Sequence, residues 1–153
     1  MPSSPRAKAQ TAALMASPDD VEAQFYEGLR EAEIDKVMAV WSEEDEPLCV
    51  HPGGPRLVGL AAVRAAFEAI CANGPVSIQP ENVRRTQTLG CAVHSVMERI
   101  EMLGSQGSPR VGWVMATNVY LKTTLGWRMV AHHASPASED ELPEIIETPA
   151  VLH

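Results

Sequence analysis

Gly126-Trp127-Arg128-Met129-Val130-Ala131-His132-His133-Ala134-Ser135-Pro136 is the stretch on which the reading of this chain turns. It begins with a turn residue, continues as a strand and ends on a residue that cannot donate to a sheet. Gly126 can adopt the positive φ of a hairpin turn, and Pro136 marks where pairing should end. With unbroken alternation, Trp127, Met129, Ala131, His133 and Ser135 share one face, and Arg128, Val130, His132 and Ala134 share the other. The first set lines up an apolar body, an imidazole and a hydroxyl, as a strand flooring a mostly apolar pocket would. His132 is expected on the opposite side, exposed or in an interface.

Working back from this strand, the second half of the chain reads as β. Residues 111–121 form the strongest strand, 92–102 a long one ended by 104–109, and 76–89 an irregular one around Pro80. The first half reads differently. Ser17-Pro18-Asp19-Asp20 is a helix start: a Ser N-cap, Pro at the first helical position, acids in the first turn. Val21, Phe25, Leu29 and Ala32 follow at helical spacing. Asp35 is placed to cap a short second helix carrying Val37, Met38, Val40 and Trp41. Pro52-Gly53-Gly54-Pro55 closes a hairpin between 48–51 and 56–59. The third helix spans 60–73 and is stopped by Asn73-Gly74-Pro75. Helices first and a meander of long strands after them means an α+β fold. Residues 1–16 lack a periodic apolar face and read as a mobile arm, 17–136 as the domain, and 137–153 as an acidic tail.

The 153 residues suit one domain, and the formal charge of −8 argues against nucleic acid and against an anionic membrane surface. Cys49, Cys71 and Cys91 are odd in number and widely spaced, which suits free thiols in a reducing cytoplasm better than disulfides or a zinc knuckle. No apolar run reaches the ~20 residues of a membrane span. Neither HxH nor HExxH occurs, so no metal site is expected, and the absence of GxGxxG and GxxxxGK[ST] speaks against a nucleotide cofactor. The expected cofactor complement is none.

The order of elements, with Phe25-Tyr26 in the first helix, Met38-Ala39-Val40-Trp41 in the second and His51-Pro52-Gly53-Gly54-Pro55-Arg56-Leu57 with Gly59 in the hairpin, carries a resemblance. So do Ala116-Thr117-Asn118-Val119-Tyr120 and the closing strand from Gly126-Trp127-Arg128 to Pro136. Over roughly residues 18–136 the chain resembles SnoaL-like and ketosteroid-isomerase-like proteins of the nuclear transport factor two-like superfamily. Its ending also resembles the association domain of calcium/calmodulin-dependent kinases, a non-catalytic hub. The resemblance implies a cone in which three helices pack on a strongly curved antiparallel sheet around a pocket, in a homodimer. It is specific for fold and poor for activity, since the fold hosts isomerases, dehydratases, cyclases and pure binding modules. Ketosteroid isomerase uses an aspartate base with tyrosine and protonated-aspartate donors. Asp35 and Asp45 occupy no comparable strand position here.

Strand parity supplies the candidates instead. His94 and Glu98 share a face of the 92–102 strand and suit an acid/base pair, with His51 at the hairpin as a third catalytic candidate. Asn118 and Tyr120 share a face of the 111–121 strand and could steady an oxyanion; Trp113 and Met115 lie on its other face. Trp41, Phe25, Tyr26 and His133 complete the expected substrate-binding set. Each also has a plain structural use: Trp41 as packing, His133 with Ser135 as a buried hydrogen bond, His94 and Glu98 as an exposed sheet face. Two functions follow. One is a cofactor-independent isomerase, dehydratase or cyclase acting on a small apolar carbonyl compound. The other is a non-catalytic ligand-binding or oligomerisation module. A homodimer through the outer face of the sheet is expected from the apolar residues on both faces of 111–121.

Overall fold

The computed structural model describes residues 15–104, 107–137 and 144–147. Helix α1 (Pro18–Glu31) starts where the sequence predicts, on a reciprocal cap: Ser17 Oγ accepts from the Asp20 amide at 3.2 Å, and the Asp20 carboxylate accepts from the Ser17 amide at 3.1 Å. The helix ends at Ala32, which takes the left-handed conformation, and the Glu33 amide bonds back to the Gly28 carbonyl at 3.0 Å. This tight turn brings the chain into α2 (Ile34–Met38) at once. Glu33, not Asp35, is therefore the N-cap, and no side chain caps this helix. The expected capping role of Asp35 is corrected to an ion pair with Arg64 at 3.0 Å. Gly28 is needed at this corner, because a Cβ there would lie 2.8 Å from Val37 Cγ2.

The hairpin β1 (Leu48–Val50) and β2 (Arg56–Val58) precedes α3 (Leu60–Ala72). Then come β3 (Ile78–Gln87), β4 (Cys91–Leu103), β5 (Pro109–Thr123) and β6 (Gly126–Ala137). The architecture is α+β, with three helices and one six-stranded sheet ordered β2-β1-β6-β5-β4-β3. One expectation changes: the sheet is mixed. β1 runs parallel to β6, while the other neighbours are antiparallel. None of the described helices is long and apolar enough to cross a membrane.

The core lies between the helices and one face of the sheet. Val21, Phe25 and Leu29 from α1, Val63 and Phe67 from α3, and Ala92, Val96, Tyr120, Trp127 and Met129 from the strands are all buried there. Phe25 is the hub of its aromatic part, edge-on to Tyr26, Trp41 and Phe67 with ring centres 5.0, 6.5 and 5.6 Å away. Met15 belongs to this core as well. It is fully buried, and its carbonyl accepts from the Trp127 amide at 3.0 Å, so the packed chain begins before residue 17. Residues 1–14, most of the predicted arm, lie outside the described residues. Of the acidic tail, Glu144 is described, and its carboxylate pairs with Arg84 at 2.8 Å and accepts from Asn82 at 2.9 Å.

β6 carries the feature that decides what faces the core. Val119 pairs with Ala131 and Tyr120 with Met129, which leaves Val130 as an extra residue: a β-bulge. It sits where β6 changes partner. The Met129 amide and carbonyl bond to Val40 and Ser42 at 2.7 and 2.9 Å, and from Ala131 onward the strand pairs with β1. The bulge reverses the alternation. Trp127 and Met129 point inward before it, His132 and Ala134 after it.

Candidate functional site

A cavity of about 130 Å³ opens between α1, α3 and the concave face of the sheet. Its wall is mostly hydrocarbon, including Leu29, Phe67, Ile70, Ile100 and Val114, and the polar side chains on it are His51, Glu98 and His132. Glu98 and Val114 come from the inward faces of β4 and β5, Phe67 and Ile70 from α3, and His51 from the end of β1.

Parity along β4 and β5 is as the sequence predicts: His94, Glu98, Asn118 and Tyr120 all point inward and are buried. They do not form one cluster. Glu98 Oε2 accepts from the Tyr26 hydroxyl at 2.7 Å; Tyr26 Oη accepts from Asn118 Nδ2 at 3.0 Å; Asn118 Oδ1 lies 2.5 Å from His132 Nδ1. This buried chain crosses from β4 through α1 to β5 and β6. His94 belongs to a second group. Its Nδ1 is 3.2 Å from Glu22 Oε1, its ring packs on Tyr120 with centres 4.8 Å apart, and Asp19 lies 4.0 Å away. The expected His94–Glu98 pair is thus corrected, because α1 supplies a separate partner to each.

Burial sets the titration of these groups. Desolvation pushes the Glu98 carboxyl up to about 7 against the downward pull of the Tyr26 hydrogen bond. Tyr26 is raised well above the ordinary phenol range, by burial first and then by the neighbouring Glu98 charge, so it stays a hydroxyl donor. His132 is pushed down to about 3 by burial and by the nearby imidazoles of His51 and His133. His51 is lowered by burial. The Cys49 thiol, 3.6 Å from His51 Nε2, is driven up to about 12 by burial and then by Glu98, which leaves it inert as a nucleophile.

The remaining expectations divide. His51 does line the cavity. Trp41 does not; it packs between Phe25 and Phe67, and its indole Nε1 has no hydrogen-bond partner among the described residues. Phe25 and Tyr26 act from behind the wall, Phe25 as packing against His132 with ring centres 5.2 Å apart and Tyr26 through Glu98. Asn118 has both ends of its amide engaged, and Tyr120 is fully buried against His94, off the cavity wall, so neither presents a free donor to an oxyanion in the cavity. His133 and Ser135 are exposed, and His132 takes the place expected of His133. The signal for His132 was present: the phase that is apolar at Trp127 and Met129 turns polar at His133 and Ser135, with Ala134 between them, as a one-residue shift of the inward face requires.

Asp19, Glu22 and His94 bring one potential metal ligand each to within 4.8 Å of one another. Arg85 already sits against the two carboxylates, at 2.8 Å from Asp19 and 3.7 Å from Glu22, and offsets part of their charge.

With this geometry in hand, the likeness to known proteins is informative. A search of curated proteins returns no match. Among solved structures, a protein from Thiobacillus denitrificans described as a type II calcium/calmodulin-dependent protein kinase association domain is 33% identical, with a TM-score of 0.72, covering 82% of this chain and 98% of its own. A protein from Streptomyces avermitilis, described as a dehydratase of the nuclear transport factor two-like family, is 25% identical with a TM-score of 0.69, covering 88% of this chain and 99% of its own. A ketosteroid isomerase-like protein from Erwinia carotovora atroseptica shares the fold at 14% identity and a TM-score of 0.63, covering 84% and 98% of the two chains. The profile of the SnoaL-like domain matches residues 19–139, which takes in all three helices and the whole sheet: the chain belongs to the SnoaL-like domain family.

Proposed function

We propose that this SnoaL-like domain binds a small apolar carbonyl compound and that Glu98 exchanges a proton with it, the chemistry of a cofactor-independent isomerase or lyase. One observation carries the reading. Glu98 is a carboxyl only 4% exposed, held among the described residues by one hydrogen bond on one oxygen, on the wall of an apolar cavity. Displaced to about 7, it is divided between acid and base near neutral pH, where a general acid/base is most effective. Tyr26 and Asn118 are positioning residues that fix the Oε2 side and leave Oε1 to work. His51, neutral and on the same wall, carries one N–H to offer an oxygen that gains charge. The Streptomyces relative described as a dehydratase is compatible with this class of reaction.

The test is hydrogen exchange at the α-carbon of acetophenone in heavy water. The expected rate rises as pH rises through about 7, because the base works deprotonated, and is lost in Glu98→Gln. Exchange that is flat across that range, or that survives Glu98→Gln, would sink the acid/base assignment.

The second reading, a non-catalytic binding and oligomerisation module, draws on the outer face of β5. Trp113, Met115, Val119 and Leu121 stand on that face only partly covered, and the Thiobacillus relative is described as an association domain. We propose that a second copy covers this face, with or without catalysis in the cavity. Light scattering at micromolar concentration should give twice the chain mass of 16.5 kDa, and Trp113→Glu should return a monomer; a monomeric wild-type mass would count against it. The free thiols fit the reducing cytoplasm we assign to the protein.

A further inference from the structure

The hydrogen bonds between Glu98 and His132 have a direction, and that direction defines what the cavity asks of a ligand. An ionised carboxylate only accepts, so Tyr26 spends its single hydroxyl hydrogen on Glu98 Oε2. Tyr26 Oη is then an acceptor toward Asn118 and meets the amide nitrogen. The amide oxygen is thereby turned to His132 Nδ1, and since that oxygen only accepts, Nδ1 carries the hydrogen. Protonation of Glu98 on Oε1, the oxygen Tyr26 does not hold, leaves every step unchanged.

The imidazole has a second nitrogen. Nε2 of His132 makes no hydrogen bond among the described residues, and the ring lines the cavity. Among the described residues no carboxylate touches the ring, which is 5% exposed and faces Phe25 and a second imidazole, His51, with centres 5.2 and 6.1 Å away. A ring in such surroundings is neutral, so Nε2 is a bare lone pair. The hydrocarbon of Leu29, Phe67 and Ile100 cannot satisfy it.

We propose that His132 is a ligand-binding residue whose Nε2 accepts a hydrogen bond, so that the cavity selects a small apolar molecule bearing a hydroxyl in addition to its carbonyl. The carbonyl half rests on the acid/base reading of Glu98; the hydroxyl half rests on the hydrogen-bond chain. A ligand without the hydroxyl displaces water from the lone pair and leaves a buried acceptor unpaired, which is the strong form of discrimination between similar molecules.

Nitrogen-15 spectra of the full chain read the tautomer directly, with the His132 signals identified by their loss in His132→Gln. The expected state at neutral pH has Nδ1 protonated and Nε2 bare; the opposite tautomer or an imidazolium overturns the proposal without reference to any ligand. Binding supplies the second arm, using 3- and 4-hydroxyacetophenone against the fluoroacetophenones of the same substitution, in which fluorine fills the site of the hydroxyl without a hydrogen to donate. In at least one pair the hydroxy compound should bind about tenfold more tightly and shift the Nε2 resonance. Equal binding within both pairs, with acetophenone exchange still dependent on Glu98, overturns the hydroxyl selection and leaves the acid/base reading standing. Binding of none of the four overturns the hydroxy-carbonyl class, while loss of the Glu98 dependence alone strikes only the carbonyl half.

Discussion

Glu98→Gln is expected to make the protein more stable above pH 7 while removing its proton-exchange activity. The folded chain holds the Glu98 proton up to about pH 7, whereas the unfolded chain releases it near the ordinary value of 4.5. Between these values the folded state binds the extra proton, so its stability falls as pH rises through the window and stays low above it. At 1.36 kcal/mol per pH unit, the gap between about 7 and 4.5 amounts to about 3 kcal/mol. Gln has the same shape, can accept from Tyr26 through its carbonyl, and carries no charge to desolvate. Thermal melts of the two proteins should therefore diverge from pH 4.5 to 7 and run parallel beyond it. The buried His51 and His132 contribute to acid sensitivity in both proteins and cancel in the difference. Coincident melts at pH 8, or a less stable variant there, would mean that Glu98 sits in a polar environment. The same cost explains why such a residue suggests function: part of the protein's stability is given up to keep an ionisable group in an apolar wall.

How far the fold could be read from sequence depends on how local its signals are. The Ser17-Pro18-Asp19-Asp20 cap, the Asn73-Gly74 stop and the Pro52-Gly53-Gly54-Pro55 turn are written in adjacent residues, and each element lies where they put it. The parallel pairing of β1 with β6 has no local signature, since it joins residues 48–50 to 131–133, more than half the length of the chain apart. The candidate site shows the same division. His94, Glu98, Asn118 and Tyr120 were placed on the inner face by simple alternation, because β4 and β5 pair without a register break. β6 has a break, and unbroken alternation carried through Val130 exchanges His132 for His133. A one-residue slip moves every later side chain to the other face. What alternation could not supply at all is the choice of partners. Glu22, Asp19 and Tyr26 all come from α1, and it is their positions, not strand parity, that divide His94 from Glu98.

Phe25→Ala should cost the most stability of any single truncation considered, about 3–5 kcal/mol. The side chain is fully buried, and its ring touches four others: Tyr26, Trp41 and Phe67 edge-on, and His132 tilted at 53°. These belong to α1, the segment after α2, α3 and β6, so no single element can move in to fill the void. A loss of that size is a large share of the roughly 5–15 kcal/mol that holds a domain together, and the melting temperature should fall by about 10 °C or more. Phe25→Leu keeps much of the volume and should cost far less. The leucine variant has a second use. Phe25 backs the His132 ring, so Leu leaves the hydrogen-bond chain to Glu98 intact but gives that ring room to tilt. Its fold should persist while discrimination between hydroxy and fluoro ligands weakens, and the pH midpoint of exchange, set by Glu98, should stay near 7. If Phe25→Ala instead melts within two degrees of the wild-type protein, the aromatic cluster is not the centre of the core, and the placement of Trp41 and His132 around it fails as well.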